Sequence, residues 1–332
     1  MAVPLQAVAI PKEITATSVV LPHKPTATVA CSYVSGTDPA VLVVFLNGLM
    51  TDKSSWVPVM SGIIRQSKSL ASPEFPSMLA YDRYGVGMTE DRDPLDQGRE
   101  RGHGHDCSDA ADDLHHLISH FSNGSKLLSG EKLRVVLVAN SIGCAIARLY
   151  AEKYPAAALL LLDSIMANSD FDLWPDPDAS GFDKGELPED VSVEVLREQR
   201  AKFAAIFKPT VVNREGLSRR NLAKILPHDD GPMLGTQSER PWVTVVGHDF
   251  DAFANESLRT MGTPIGLSMR YMNPTWHKYN QGLVHITDRE KSKGPIFAYG
   301  CGHFIQRDDP DFVIKEALDL VDKVRLQQSV VW

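Results

Sequence analysis

Residues 137–145 of the chain read Leu137-Val138-Ala139-Asn140-Ser141-Ile142-Gly143-Cys144-Ala145. The first part is apolar, as a buried strand is, and a helical pattern begins directly after the serine. Small residues lie two places to either side of Ser141. This order predicts a sharp turn from strand to helix, which holds the serine in strained backbone geometry with its hydroxyl exposed. Ser141 is therefore a candidate nucleophile, and a plain helix N-cap is the alternative interpretation.

Outward from this turn, short β-rich runs alternate with helical patterns, which is typical of βαβ crossovers and a mostly parallel sheet. Two further runs, Ser18–Leu21 and Thr26–Tyr33, indicate an antiparallel hairpin at one edge. The sequence thus predicts an α/β fold with a mostly parallel, eight-stranded sheet flanked by helices. The six runs expected in the main part of the sheet are Val41–Leu46, Met78–Tyr81, Arg134–Ala139, Ala158–Leu162, Trp242–Val246 and Pro295–Tyr299.

The alternation stops between Asp163 and about Arg240, where a stretch rich in Asp, Pro and Gly leads into helical patterns. We therefore expect a core domain of residues 1–163 and 241–332. Residues 164–240 are expected to form a helical cap, inserted after the sixth strand, over the carboxyl ends of the strands where open α/β sheets bind ligands. The helices expected in the chain are Trp56–Ile64, Asp109–Phe121, Ile142–Tyr154, Val193–Phe207, Leu217–Leu226 and Pro310–Leu326.

A histidine follows the last expected strand, in the segment Gly300-Cys301-Gly302-His303. A serine hydroxyl is a poor nucleophile at neutral pH unless an adjacent base takes its proton. His303 is placed to meet Ser141 at the sheet edge, so we predict that it is the general base. The amide of Ile142, beside the helix N-terminus, is a candidate oxyanion donor. The histidines at 103, 105, 115 and 116 are expected in a loop and on a helix face, with no metal bound.

Four motifs in this order resemble the α/β-hydrolase superfamily: Asn47-Gly48-Leu49-Met50, the Asp82–Thr89 stretch, the Ser141 turn, and Gly302-His303. The resemblance implies that the Leu49 N–H is the second oxyanion donor, because the family uses the residue after the glycine. Asn47 stands where the family usually has His. The Asp82–Thr89 stretch resembles the family's structural glycine turn, and its glycines suit positive φ.

The triad acid has three candidates, because the family places its carboxylate after either of two strands. Asp163 ends the Ala158–Leu162 strand and is the first choice. The alternatives, Asp251 and Asp249, follow the Trp242–Val246 strand, where the usual G-x-x-D spacing falls on Phe250. Any of the three could orient the imidazole and stabilise its charged form.

These residues together predict a serine hydrolase that forms an acyl-enzyme. A serine at this turn disfavours epoxide hydrolase and dehalogenase chemistry, for which the family uses Asp. Phe171 and Trp174 would give an apolar cover, which suits a hydrophobic small-molecule ester or lactone. They could equally form the core of the cap. Two alternatives stay open: the same triad used for carbon–carbon hydrolysis or lyase chemistry, and a ligand-binding receptor on the same fold.

The composition of the chain indicates which classes of binding partner to expect. There are 42 acidic and 34 basic side chains, and the formal charge of -8 argues against a nucleic-acid surface. The segment Met1–Val20 lacks a basic region and contains Pro4 and Pro11, so we expect no targeting peptide and a cytoplasmic location. No apolar run reaches the roughly 20 residues that span a bilayer. We expect no cofactor and a monomer or homodimer. The cysteines, expected as small core residues, are Cys31, Cys107, Cys144 and Cys301.

Overall fold

The computed structural model describes residues 11–68, 74–122 and 132–327, and the first ten residues of the Met1–Val20 segment lie outside these ranges. Eight strands form one sheet in the order β1-β2-β4-β3-β5-β6-β7-β8. β2 runs antiparallel to both of its neighbours, and every pairing from β4 through β8 is parallel. The expected mostly parallel, eight-stranded sheet is confirmed. The strands are β1 (Thr15–Leu21), β2 (Lys24–Val34), β3 (Asp38–Leu46), β4 (Pro76–Tyr81), β5 (Arg134–Asn140), β6 (Ala158–Leu162), β7 (Trp242–His248) and β8 (Ser292–Ala298).

Helices cover both faces of this sheet. The helices are α1 (Val57–Lys68), α2 (Cys107–Ser122), α3 (Ile142–Lys153), α4 (Val193–Phe207), α5 (Leu222–Ile225), α6 (Phe250–Met261), α7 (Ile265–Leu267), α8 (Asn273–Leu283), α9 (Ile305–Asp308) and α10 (Pro310–Leu326). Helices α1 and α10 pack on the apolar cluster of one face, and α2 and α3 pack on the apolar cluster of the other face. Shorter helical turns are Lys53–Trp56, Pro94–Asp96, Lys184–Glu186, Ser268–Met272 and Arg289–Lys291.

The centre of the sheet explains why its strands read as unbroken apolar runs. Side chains of β3 alternate between the two apolar clusters, because successive residues of a strand point to opposite faces. Val41, Val43 and Phe45 belong to the cluster under α1 and α10. Leu42, Val44 and Leu46 belong to the cluster under α2 and α3. A strand covered on both faces needs apolar residues at every position.

The register brings the carboxyl ends of four neighbouring strands to one edge. Asn140 at the end of β5 pairs with Leu162 at the end of β6, and Leu162 pairs with Val246 in β7. His248 at the end of β7 pairs with Ala298 at the end of β8. The residues that follow these strands are therefore neighbours, although more than 150 positions separate the first from the last.

One expected helix is much shorter in the structure. Leu217–Leu226 was expected as one helix, but only Leu222–Ile225 is helical. The N–H of Ser218 instead donates to the His105 carbonyl at 2.8 Å, and the Asn213 side chain donates to the Leu217 carbonyl at 2.7 Å. A tertiary hydrogen bond to His105 and a local side-chain hydrogen bond from Asn213 thus replace those of a helix.

The last strand begins earlier than expected and ends before Tyr299. Residues 292–295 are polar or carry Gly and Pro, so they give no apolar signal, yet Ser292 and Lys293 pair with β7. Tyr299 lies outside β8 and is 83% exposed.

The segment between β6 and β7 has one long helix, α4, whose bounds are those expected. Residues 163–192, the part of this segment ahead of α4, are mostly turns and irregular backbone. The four cysteines are buried and free of disulfides, which confirms their expected place in the interior. Within residues 11–68, 74–122 and 132–327, no helix is both long and apolar enough to cross a membrane.

Candidate active site

Ser141 lies between the end of β5 and the start of α3, half-buried at the carboxyl edge of the sheet. Its φ of 56° and ψ of −122° are adopted only by a residue that its surroundings hold in place. Its N–H donates to the Leu162 carbonyl at 3.2 Å, and its carbonyl accepts from the Ile165 N–H at 3.1 Å. In the part of the chain that the structure describes, the Ser141 hydroxyl makes no cap hydrogen bond to α3. The alternative of a plain N-cap is therefore wrong.

Gly143 shows why small residues flank this serine. A Cβ atom at Gly143 would come within 2.6 Å of the Leu46 carbonyl oxygen and 2.9 Å of the Asn47 carbonyl oxygen. The first turn of α3 thus packs directly on the backbone at the end of β3. A Cβ at Gly48 would lie 3.4 Å from the Ser141 Cβ, so the loop after β3 lies against the serine.

His303 follows β8 and makes its contacts with the ends of neighbouring strands. Its Nδ1 lies 2.6 Å from Asp163 Oδ2, and its carbonyl accepts from the Asn140 side chain at 2.9 Å. Asn140 directly precedes Ser141, so serine, imidazole and carboxylate lie at one edge of the sheet. The His303 side chain keeps 19% of its surface exposed, while that of Asp163 has none. The ring of Trp276 packs edge-on against the imidazole, with centroids 5.5 Å apart.

Asp163 accepts hydrogen bonds from two histidines. Its second oxygen, Oδ1, lies 2.8 Å from His248 Nδ1. Burial by itself would raise the pKa of Asp163, but the charge of His248 and the hydrogen bonds from His248 and His303 outweigh it and lower the pKa to about 2. The carboxylate is therefore ionised over the whole physiological range.

The two alternative acids have other contacts. The Asp249 carboxylate caps α6 by accepting from the Ala252 N–H at 3.0 Å, and it also accepts from the Gly300 N–H at 3.3 Å. Asp251 is exposed in the first turn of α6. Of the three candidates, Asp163 is the one whose carboxylate contacts the His303 ring.

Asn47 is a buried residue that supports the loop after β3. It is 1% exposed; its amide donates to the Tyr81 carbonyl at 2.8 Å, and its oxygen accepts from Trp56 Nε1 at 2.7 Å. An asparagine carries both a donor and an acceptor. It therefore anchors this loop to the end of β4 and to the turn before α1.

A buried ion pair fixes the peptides of the same loop. Arg83 donates to the carbonyls of Asn47 at 2.8 Å and Gly48 at 2.7 Å, and it pairs with Glu215 at 2.8 Å. Glu215 also accepts from the Met50 N–H. The C=O and N–H of a trans peptide point in opposite directions, so the Leu49 N–H points away from Arg83. Glu215, in the segment between β6 and β7, thereby joins that segment to the loop. Neither Arg83 nor Glu215 was among the predicted site residues.

Phe171 and Trp174, expected to cover a substrate, are 6% and 4% exposed. Trp174 packs on Phe203 with ring centroids 4.8 Å apart, and Phe171 packs on Phe207 at 6.3 Å. They form an aromatic cluster inside the segment between β6 and β7. Trp276, on α8, packs against the His303 ring instead, and its Nε1 donates to the Ser164 carbonyl at 2.7 Å. Contact of Phe171 and Trp174 with a substrate stays a prediction.

The Asp82–Thr89 turn is structural, as its resemblance implies. Asp82 is fully buried and accepts from the Lys53 N–H at 2.6 Å and from Lys53 Nζ at 2.7 Å. Gly85 and Gly87 have positive φ, as expected. Across the described ranges of the chain, no three His, Cys, Asp or Glu side chains are grouped so that they could hold a metal ion.

Comparison with known proteins gives a family and a fold. The sequence profile of the alpha/beta hydrolase family matches residues 43–316. No curated protein matches the chain. Similar solved structures include a thermophilic esterase from Thermogutta terrifontis, with 14% identity, a TM-score of 0.50, and 93% of this chain and 99% of that chain covered.

Two further structures are a haloalkane dehalogenase variant from Bradyrhizobium elkanii and an epoxide hydrolase from Vigna radiata. Each is 14% identical with a TM-score of 0.52, and they cover 95% and 94% of this chain. Each match spans 99% of the other chain. Enzymes with three chemistries share this likeness, so it supports the fold and not one reaction.

Proposed function

Because the chain belongs to the alpha/beta hydrolase family, we propose that it is a serine hydrolase that cleaves a carboxylic ester or lactone of a hydrophobic small molecule. The observation that carries the proposal is the strained backbone of Ser141, whose hydroxyl leaves the following helix uncapped among the described residues. Such strain costs about 1–3 kcal/mol and persists where the surroundings enforce it, commonly at functional sites.

Ser141 Oγ attacks the substrate carbonyl carbon, and His303 Nε2 takes the hydroxyl proton. Asp163 holds the Nδ1 side of the imidazole at 2.6 Å and stabilises the imidazolium that forms. The proton then passes from His303 to the leaving alkoxide, which departs as an alcohol and leaves an acyl-serine. Water attacks the acyl-serine, His303 takes its proton, and the carboxylic acid leaves as Ser141 regains its own.

The N–H groups of Leu49 and Ile142 hold the oxyanion of each tetrahedral intermediate. Ile142 is the first residue of α3, where a helix has N–H groups without intrahelical partners. Leu49 belongs to the loop that Arg83 orients. One such donor is typically worth about 2.7–4 kcal/mol in the transition state, so both amides matter to the rate.

The choice of a hydrophobic substrate rests on the segment 164–240, which we propose is a helical cap. Its aromatic residues include Phe171 and Trp174. Glu215 joins it, through the Met50 N–H, to the loop after β3, residues 47–50, which we call the oxyanion loop. A cover of this kind disfavours sugars and charged peptides. The serine at position 141 favours an ester or lactone over an epoxide or a haloalkane.

The test is hydrolysis of short-chain nitrophenyl esters and a panel of aromatic lactones by the wild type, Ser141→Ala and Ser192→Ala. Ser192 is the matched control, because its hydroxyl does cap a helix, accepting from the Val195 N–H at 3.2 Å. We expect kcat to fall by about four to six orders of magnitude in Ser141→Ala and to stay unchanged in Ser192→Ala. Turnover that survives Ser141→Ala, or tight binding without turnover in the wild type, contradicts the proposal.

A further inference from the structure

His248 is buried beside the triad and has no part in the mechanism above. It is the last residue of β7, two positions before Phe250, where the family's G-x-x-D spacing would place an acid. Its side chain is 2% exposed. Its Nδ1 lies 2.8 Å from Asp163 Oδ1 and its Nε2 lies 3.2 Å from Asn273 Oδ1. A neutral imidazole has one donor and one acceptor nitrogen, so the two partners decide its protonation state.

Both partners are acceptors. Asp163 Oδ1 also accepts from the His248 backbone N–H at 3.3 Å, and a carboxylate has acceptor oxygens only, so Nδ1 carries a proton. The Asn273 amide nitrogen donates to the Phe250 carbonyl at 3.0 Å, which turns its oxygen toward Nε2. Nε2 therefore carries a proton as well. The hydrogen bonds are satisfied only if His248 is an imidazolium.

The surroundings favour that charge. The ring of Phe253 stacks on His248 with centroids 4.1 Å apart, which allows a cation–π contact. Burial by itself would lower the pKa of His248, but the charge of Asp163 and the hydrogen bonds to Asp163 and Asn273 raise it above the ordinary 6.5. The other charged or titratable groups that face it are His303 after β8, Glu256 and Asp249 from the α6 region, and His277 on α8.

We propose that His248 is a positioning residue that stays doubly protonated and holds Asp163 in a buried imidazolium–carboxylate ion pair. The pair fixes Asp163 Oδ1 on His248, so that Oδ2 stays directed at His303 Nδ1. His248 thus fixes the carboxylate that orients the imidazole of the proposed base. This catalytic consequence rests on the proposed function, whereas the protonation state of His248 does not.

The first experiment needs no substrate. Histidine labelled with ¹⁵N is incorporated, and long-range ¹⁵N–¹H spectra are recorded for the wild type and His248→Asn at about pH 7, where an ordinary histidine is mostly neutral. The Asn amide keeps a neutral donor near the Nδ1 position. We expect a histidine signal with two protonated nitrogens that is absent from His248→Asn while the other histidine signals remain. A neutral tautomer of His248 at this pH overturns the proposal.

Asn273→Leu is the second variant, and it guards against a poorly folded His248→Asn. It leaves His248 in place and removes the acceptor from Nε2. We expect the imidazolium signal of the wild type to titrate at lower pH in this variant. An unchanged titration overturns the argument from the two acceptors.

The second readout is kcat and KM per titrated active site on an ester that the wild type hydrolyses. We expect kcat to fall by about 10²-fold in His248→Asn with little change in KM, because a misplaced carboxylate misorients the base in the transition state. A kcat per titrated active site equal to that of the wild type overturns the catalytic part, because a purely structural role would lower only the fraction of active protein. If the wild type hydrolyses no ester, the proposed function fails while the NMR result still decides the state of His248.

Discussion

Replacing Glu215 by Gln tests whether the segment between β6 and β7 positions the oxyanion loop. The substitution keeps the shape and the acceptor oxygen but leaves the Arg83 guanidinium, whose side chain is 7% exposed, without its counter-charge. Removing one partner of a buried pair typically costs about 3–5 kcal/mol, because the other charge stays desolvated. Total stabilities of 5–15 kcal/mol are usual, so the variant should fold with a lowered free energy of unfolding.

The same change should loosen the peptides that Arg83 holds through the carbonyls of Asn47 and Gly48. If the Leu49 N–H loses its alignment, kcat should fall by about 10²- to 10³-fold, the typical loss for one oxyanion donor. KM should change much less, because the donor acts mainly in the transition state.

The assay pairs urea unfolding with ester hydrolysis for Glu215→Gln and for Glu239→Gln as the matched control. Glu239 pairs with Lys132 at 3.0 Å, but both side chains are more than 60% exposed. Its loss should cost at most about 1 kcal/mol and leave kcat unchanged. The reasoning is refuted if Glu215→Gln keeps wild-type kcat, or if the two variants lose equal stability.

The remaining predictions concern the triad, the turn and the pH dependence. Asp163→Asn should lower kcat by about 10⁴-fold by favouring the wrong imidazole tautomer, whereas Asp251→Asn should leave it unchanged; equal activities would remove Asp163 from the triad. Gly143→Ala should destabilise the fold in thermal melts, since its Cβ meets the Leu46 carbonyl oxygen, whereas Gly231→Ala, with open space around its Cβ, should not. The stabilisation from His248 should be complete below pH 6.5 and fall as the pH rises through its raised folded-state pKa; urea unfolding across pH should show this slope in the wild type and not in His248→Asn.

Much of the fold could be predicted from local patterns. β6 and two helices, α4 and α10, have the expected bounds, because apolar runs and helical periodicity are properties of short segments. The turn at Ser141 was also visible, since a small residue is required on each side of it. Its strained φ of 56° is the direct consequence of the strand–turn–helix order.

Contacts between distant segments could not be predicted in this way. Three aspartates were chemically equivalent candidates for the triad acid, and only the register of β6 against β7 and β8 brings Asp163 to His303. The Arg83–Glu215 pair joins residues 132 positions apart and leaves no local signature. His248 was not among the predicted site residues, because its contact is with a carboxylate 85 positions earlier in the chain.

The most direct test of the central claim is the mass of the protein after reaction with a fluorophosphonate, followed by peptide mapping. A serine activated by an imidazole at the same sheet edge should take up one phosphonyl group. We expect the adduct on Ser141, its absence from Ser141→Ala, and much slower labelling of His303→Ala. A wild-type protein that stays unlabelled, or an adduct on another residue, would contradict the account.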